Sequence, residues 1–276
     1  MSETLKDKGK RLQKQRDYHV DVDKYILVHV DGRSFSKNIK NKYKKPFDNE
    51  FIGMMNQVAV YLCENVQGAK IAYTQSDEIT LLLKKDVPEG DIFFGGRLCK
   101  MQSIIASLAT AKFNQLALMC DIWKTGDPYV EFLKNDKVFS TENVVNMIEN
   151  HPLYQFDCKV WDVDTANDAL AWFLFRNIDC VRNSKQQFAQ TYLPHKILLK
   201  HSTDEQVLMA IDEKGMDWRA CTNGQKFGRI ISKEEYQFTT DDGETYTRTR
   251  WVPHDGTDLT IEENRTEFIE KYNFFK

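Results

Sequence analysis

Two short apolar runs, AKIAYT (residues 69–74) and ITLLLK (79–84), stand four residues apart, across Gln75-Ser76-Asp77-Glu78. A link that short joins antiparallel neighbours, because a parallel pair needs a crossover of a dozen residues or more. A hairpin with an acidic tip is therefore the element around which the chain must be built. Before it, YILVHVD (25–31) is rich in β-branched residues and stops at Asp31-Gly32, which reads as a buried strand ending in a turn. Residues 51–66, FIGMMNQVAVYLCENV, are apolar around most of a helical circumference and predict a buried helix. After the hairpin, residues 97–123 follow a long helical pattern that Gly126-Asp127-Pro128 breaks, and residues 156–163 return to strand-like spacing.

The order β-α-β-β-α-β is the split βαβ, or ferredoxin-like, arrangement. It predicts an α+β fold whose antiparallel sheet carries helices on one face and leaves the other free for a ligand. A further helix is expected over residues 164–192, then mixed, loop-rich sequence with an exposed hairpin at 238–250 around Asp241-Asp242-Gly243. A soft boundary near 136–155 divides the chain into 5–138 and a mostly helical, loop-rich part, 139–276.

Composition narrows the class. A chain of 276 residues with 41% hydrophobic and 29% charged residues, and only 13 Gly and 6 Pro, can bury a core without staples and is neither collagen-like nor wholly disordered. The longest charge-free stretch, residues 51–63, is short of the roughly 18 that a membrane span needs. The opening residues MSETLKDKGKRLQKQR lack the apolar core of a secretory signal, and the six cysteines are scattered without a C-x-x-C, so a reducing compartment is expected: the cytoplasm, with mitochondria left open. Net charge is −3, but residues 1–45 hold 13 Lys and Arg against 6 Asp and Glu, whereas 234–276 hold 5 against 11. The basic segment suits phosphates, or a solvated helix face.

Two acidic turns carry the chemistry: Asp31-Gly32-Arg33 and Ser76-Asp77-Glu78. The first and third elements of this fold are often neighbours, which would bring Asp31 and Asp77 together. Like carboxylates repel unless a cation lies between them, and Mg²⁺ favours a few carboxylate oxygens plus substrate phosphate. Asp-Gly is also a common turn dipeptide and Ser-Asp-Glu an ordinary hairpin tip, so spacing alone leaves both readings open. Arg33, Lys37, Lys40, Lys42, Lys44 and Lys45 follow the first turn, and Arg97 and Lys100 share a helix face at i and i+3. A triphosphate would want such a rim. The histidines lack H-E-x-x-H spacing, Gly95-Gly96 is too short for a phosphate loop, and no G-x-S-x-G elbow occurs.

HVDGRSFSK (29–37), KKPFD (44–48), YTQSDEITLLL (73–83), FGGRLCKMQSIIAS (94–107), FDCKV (156–160) and RNIDCVRNS (176–184) occur in an order that resembles the tRNA-His guanylyltransferase family, more closely its guanylyltransferase-like branch of 3′-to-5′ polymerases. The resemblance implies a palm-like nucleotidyltransferase domain in which Asp31 and Asp77 are catalytic and hold two Mg²⁺ ions with the carbonyl of Gly32. It implies nucleotide binding by Asp31, Gly32, Arg33, Ser34, Phe35, Ser36, Ser76 and Asp77, phosphate contacts from Lys45, Arg97 and Lys100, a supporting role for Glu78, and tRNA contacts from Arg182, Asn183, Lys185, Lys226 and Arg229. GTP or another nucleoside triphosphate and ATP are the implied substrates, tRNA the partner and a homotetramer the assembly.

The sequence departs from that pattern at one point. Where histidine-tRNA guanylyltransferases read H-I-N-N after Asp-Cys, this chain has Val181-Arg182-Asn183-Ser184. The expected activity is therefore template-directed repair of 5′-truncated tRNA, with single-G addition to histidine tRNA as the alternative. A non-catalytic palm-fold module is disfavoured by the paired carboxylates. A palm-type nucleotide cyclase is disfavoured by the absence of a G-G-[DE]-E-F loop from this sequence.

Overall fold

The computed structural model describes residues 3–15, 17–39, 42–84, 92–124, 148–240 and 242–275. β1 (Tyr25–Gly32) runs antiparallel to β3 (Glu78–Leu83) on one side and to β4 (Phe156–Val163) on the other. β2 (Ala69–Gln75) forms the expected hairpin with β3 and adds β5 (Arg229–Thr239) and β6 (Thr245–Asp255), giving the order β4-β1-β3-β2-β5-β6. The first four strands stand as 4-1-3-2, the split-βαβ order, so the α+β reading holds. β5 and β6 extend the hairpin expected at 238–250; Asp241 at its turn lies outside the described residues, as do the helix stop at 126–128 and the division at 138/139.

Alternation along the strands sends side chains to two faces. After α1 (Leu5–Lys14) and the single turn α2 (Phe35–Asn38) come α3 (Asn49–Asn65) and α4 (Leu98–Lys124), and Ile26, Val28, Val30, Leu81 and Leu83 join the core beneath these two. Asp48 caps α3 by accepting from the backbone N–H groups of Glu50 and Phe51. On α4, Met101, Ile105, Ala109, Phe113 and Ala117 recur at i, i+4 and are fully buried, so this helix, apolar and long enough by composition to cross a bilayer, spends that stripe on the sheet. Thr110 and Asn114 bind the backbone of Phe156 and Tyr154, which fixes the C-terminal half of α4 at the Asp31 end of the sheet.

The second face is not free, contrary to expectation. Leu27, Ile71, Tyr73 and Leu82 pack against α5 (Ala166–Tyr192) and the C-terminal helix that follows β6. The cause is legible: these strands are near-continuous apolar runs, and such a strand needs cover on both sides. What stays accessible is the end of that face, around Asp31. A third cluster joins the last turns of α5 to the segment 193–227 through Phe188, Leu198, Ala210 and Trp218.

Candidate functional site

β1 lies between β4 and β3, so Asp31 stands opposite Glu78 on one side and Asp157 on the other. Residues directly opposite share a face, and one rung therefore presents three carboxylates, Asp157, Asp31 and Glu78. The next rung inward is Lys159, His29 and Thr80; His29 Nδ1 meets the Thr80 hydroxyl at 3.1 Å and Trp172 of α5 packs edge-on against its ring. Asp77 sits beside the rung on the hairpin tip, where Ser76 adopts a positive φ of 46°. Gly32 N–H donates to the Asp77 carbonyl at 3.1 Å, which joins the two acidic turns directly. A Cβ on Gly32 would come within 2.8 Å of Asp77 Oδ2 and 2.5 Å of the Phe35 ring, so only glycine fits between them.

Burial raises the carboxyl of Asp77 to about 6; the Ser76 hydroxyl, donating at 2.9 Å, opposes this, while Asp31 and Glu78 add to it. Asp31 is raised by burial and then by Asp157, against Lys159 and Arg176. These are hard oxygen donors with surplus negative charge, and the tip of Asp77 receives no cationic side chain among the described residues. That donor set fits Mg²⁺. Among the described residues no three His, Cys, Asp or Glu side chains converge as a self-sufficient metal cage, so Asp31 and Asp77 would hold the ion with the Gly32 carbonyl and substrate phosphate completing its shell.

The loop after β1 is built to be rigid. Arg33 N–H donates to the Gln155 carbonyl at 2.8 Å and its guanidinium to Gln155 Oε1 at 2.9 Å; Ser34 takes a left-handed conformation, and Ser34 and Ser36 are exposed. Phe35 differs from expectation. Its ring is buried among Phe51, Phe113, Tyr154 and Phe156, so it anchors the loop and cannot stack on a nucleotide. Exposed Lys45 lies at the same end of the sheet, since nearby Phe47 packs in the cluster of Trp218 and Phe227, and Asn49 accepts from Gln225.

Arg97 and Lys100 do not rim the carboxylates of their own chain. Arg97 immediately precedes α4 and Lys100 lies in its first turn, 13 and 10 residues before Thr110, which places them about 20 and 15 Å along the helix from the Asp31 end. There Arg97 Nε donates to Asp17 at 3.2 Å, and Lys100 lies 4.3 Å from the Phe94 ring centroid. Arg182, Asn183, Lys185 and Lys226 do gather, beyond the carboxylate end of the sheet: Arg182 and Asn183 hold Asp179, Lys185 pairs with Asp204, and Lys226 donates to the Arg219 carbonyl at 3.1 Å. Arg229 is a correction. At 5% exposure, with Nε on Asn56 at 3.0 Å, it braces β5 inside the protein and does not face an RNA phosphate.

Two residues emerge only from the fold, Asp157 on the rung and Arg176 on α5, which donates to Glu78. Both lie in the motif blocks FDCKV and RNIDCVRNS, so a signal was present without a role attached to it. The sequence profile of the tRNAHis guanylyltransferase family matches residues 7–163, from the first helix through β4.

The chain belongs to that family.

Its members are tRNA guanylyltransferases, enzymes of the nucleotidyltransferase class. An uncharacterized protein of Acanthamoeba polyphaga mimivirus is 29% identical over 248 residues, covering 85% of this chain and 78% of its own. A probable tRNA(His) guanylyltransferase of Dictyostelium discoideum is 37% identical over 90 residues, 32% of this chain and 34% of that protein. A bacterial tRNA(His) guanylyltransferase-like protein solved in complex with ATP superposes with a TM-score of 0.76 at 25% identity, covering 99% of this chain and 100% of its own. The Saccharomyces cerevisiae enzyme, at 18% identity and a TM-score of 0.60 over 81% of this chain and 92% of its own, shares the fold.

Proposed function

We propose that this enzyme adds templated nucleotides in the 3′-to-5′ direction to the 5′ end of truncated tRNA. The observation that carries the reading is at Val181. Where the histidine-specific enzymes place a hydrogen-bonding His, Val181 packs its apolar side chain into the cluster of Phe188 and Trp218, and Arg182 beside it is exposed. Neither side chain offers the donor and acceptor pattern that would read an unpaired base. Base choice then falls to Watson–Crick pairing with the opposite strand of the acceptor stem, while the protein reads backbone and the RNA end.

In this mechanism the 3′-hydroxyl of the incoming nucleotide attacks a 5′ phosphate of the RNA that is activated as a triphosphate or by adenylylation with ATP. The bond to pyrophosphate or AMP breaks as the new phosphodiester forms. Asp31 and Asp77 would hold two Mg²⁺ ions, whose chemistry would be to align the attacking and leaving oxygens and to stabilise their charge. Asp31 and Asp77 hold that charge in place, Ser76 and Gly32 fix the Asp77 turn, and Arg33 and Lys45 stand at the same end for the phosphates. Arg182, Asn183, Lys185 and Lys226 offer the RNA a basic surface. A homotetramer in the cytoplasm completes the proposal, with light scattering as the check on assembly.

The deciding comparison sets 5′-truncated tRNAs of several identities against full-length histidine tRNA with an unpaired discriminator base, at equal nucleotide concentrations. Repair with the templated G, C, A or U, ending when the stem is full, is expected. Efficient untemplated G addition with poor repair would overturn the reading.

A further inference from the structure

The rung of Asp157, Asp31 and Glu78 sets a carboxylate on either side of Asp31, on strands roughly 4.8 Å apart, although the three do not converge as a cage. Asp31 could share an ion with either neighbour, and the two choices would put the reacting atoms in different places. The neighbours are not equivalent. Arg176, 8% exposed, reaches from α5 to donate to Glu78 Oε2, and Gln75 Nε2 donates to the same oxygen at 2.8 Å. Asp157 takes no comparable side-chain donor among the described residues.

Arg176 is itself fixed. Its Nη2 also donates to Asp179 at 3.1 Å, one turn along the same helix, and Asp179 is held in turn by Arg182 and by Asn183 at 3.3 Å. The guanidinium carbon lies 5.1 Å from the centroid of Phe175 and 6.0 Å from that of Trp172, an aromatic seat that Lys, with its point charge, would fill poorly.

We propose that Arg176 is a positioning residue of the metal centre: its ion pair keeps Glu78 out of the cation's coordination shell and leaves Asp31 and Asp77 to set where the ions sit. The inference rests on reading Asp31 and Asp77 as the metal-binding pair. Without the guanidinium, Glu78 is a half-buried carboxylate left with only the neutral Gln75 amide, and the nearest charged relief is the cation beside Asp31. Site charge then becomes more negative and a third carboxylate joins. Affinity for a hard divalent ion rises, because it follows the number of charged ligands, while the ion shifts away from the position that aligns the reaction.

The test is Mn²⁺ binding to the full chain without RNA or nucleotide, read by electron paramagnetic resonance of the free ion, alongside nucleotide transfer. Arg176→Gln should bind Mn²⁺ more tightly, on the order of tenfold, yet turn over more slowly. A merely structural role would lower both. Arg176→Lys should fall between, and the double variant Arg176→Gln/Glu78→Gln should return Mn²⁺ affinity to within about threefold of wild type, since both partners are then neutral. If Arg176→Gln does not fold by circular dichroism, the Lys and double variants carry the comparison. Unchanged or weaker Mn²⁺ binding in Arg176→Gln or Arg176→Lys overturns the proposal, as does a double variant that still binds tightly. A wild-type protein that binds no Mn²⁺ overturns the metal assignment instead.

Discussion

Replacing Asp77 by Asn removes a charge that burial disfavours while keeping an oxygen for the Ser76 hydroxyl, so activity and apo stability should move in opposite directions. Asp31→Asn and Asp77→Asn should each abolish nucleotide transfer at saturating Mg²⁺ with circular dichroism unchanged; turnover in either variant would remove that residue from the site. The Asp77 carboxyl is raised from 3.8 to about 6, so its contribution to stability is full only below about pH 4 and is lost as pH rises through 6. The metal-free Asn variant should therefore melt higher than wild type at pH 7.5, by the equivalent of about 1–2 kcal/mol, and should no longer gain stability from Mg²⁺. His29 has the opposite sign. Burial, with Arg176 and Lys159 adding, lowers it from 6.5 to about 4, so its contribution is full above pH 6.5 and is lost as pH falls toward 4. Urea unfolding at pH 7.5 and pH 5 should show wild type losing about 2 kcal/mol that His29→Gln does not lose.

Phe35 and the β5–β6 hairpin show what a single element does for the site. The Phe35 ring fills the space between α3, α4 and the start of β4, and Phe35→Ala should cost about 3–5 kcal/mol in chemical denaturation while loosening the Arg33–Ser36 loop. Beyond Ile231, β5 pairs only with β6 among the described residues, with Arg248 stacked 4.1 Å from the Phe238 centroid and Arg250 5.2 Å from that of Tyr236. Replacing residues 235–249 by a tight turn should shift the melting temperature by less than about 3 °C. The two acidic turns were legible in the sequence because turn chemistry is local: four residues between strands permit one pairing, and that pairing sets Asp77 beside Gly32. Arg97 and Lys100 were misplaced for a nonlocal reason. Their shared helix face was read correctly, but α4 starts from the far end of β3, and the direction of a helix across a sheet decides which of its ends meets the site. Arg176 escaped a role because its partner, Glu78, lies 98 residues away.

At the scale of the molecule the strand order could be read from the sequence, and the apolar strands signalled a need for cover on both faces, but not which segment supplies it, since helix 164–192 carried no mark of what it would lie upon. That face binds the two ends of the chain together. Leu27, Ile71, Tyr73 and Leu82 come from the first third of the sequence, and Phe173, Ile230, Phe268 and Phe274 from its second half. The stretch that bears the family signature, residues 7–163, therefore ends before any of its own cover is made. Excised, it would keep Asp31 and Asp77 but expose a greasy slab of β-sheet, and should express as inclusion bodies or bind the dye ANS strongly, whereas the full chain should do neither. The recognisable core is not an autonomous module: it cannot be grafted, shuffled or minimised without carrying its C-terminal shield along.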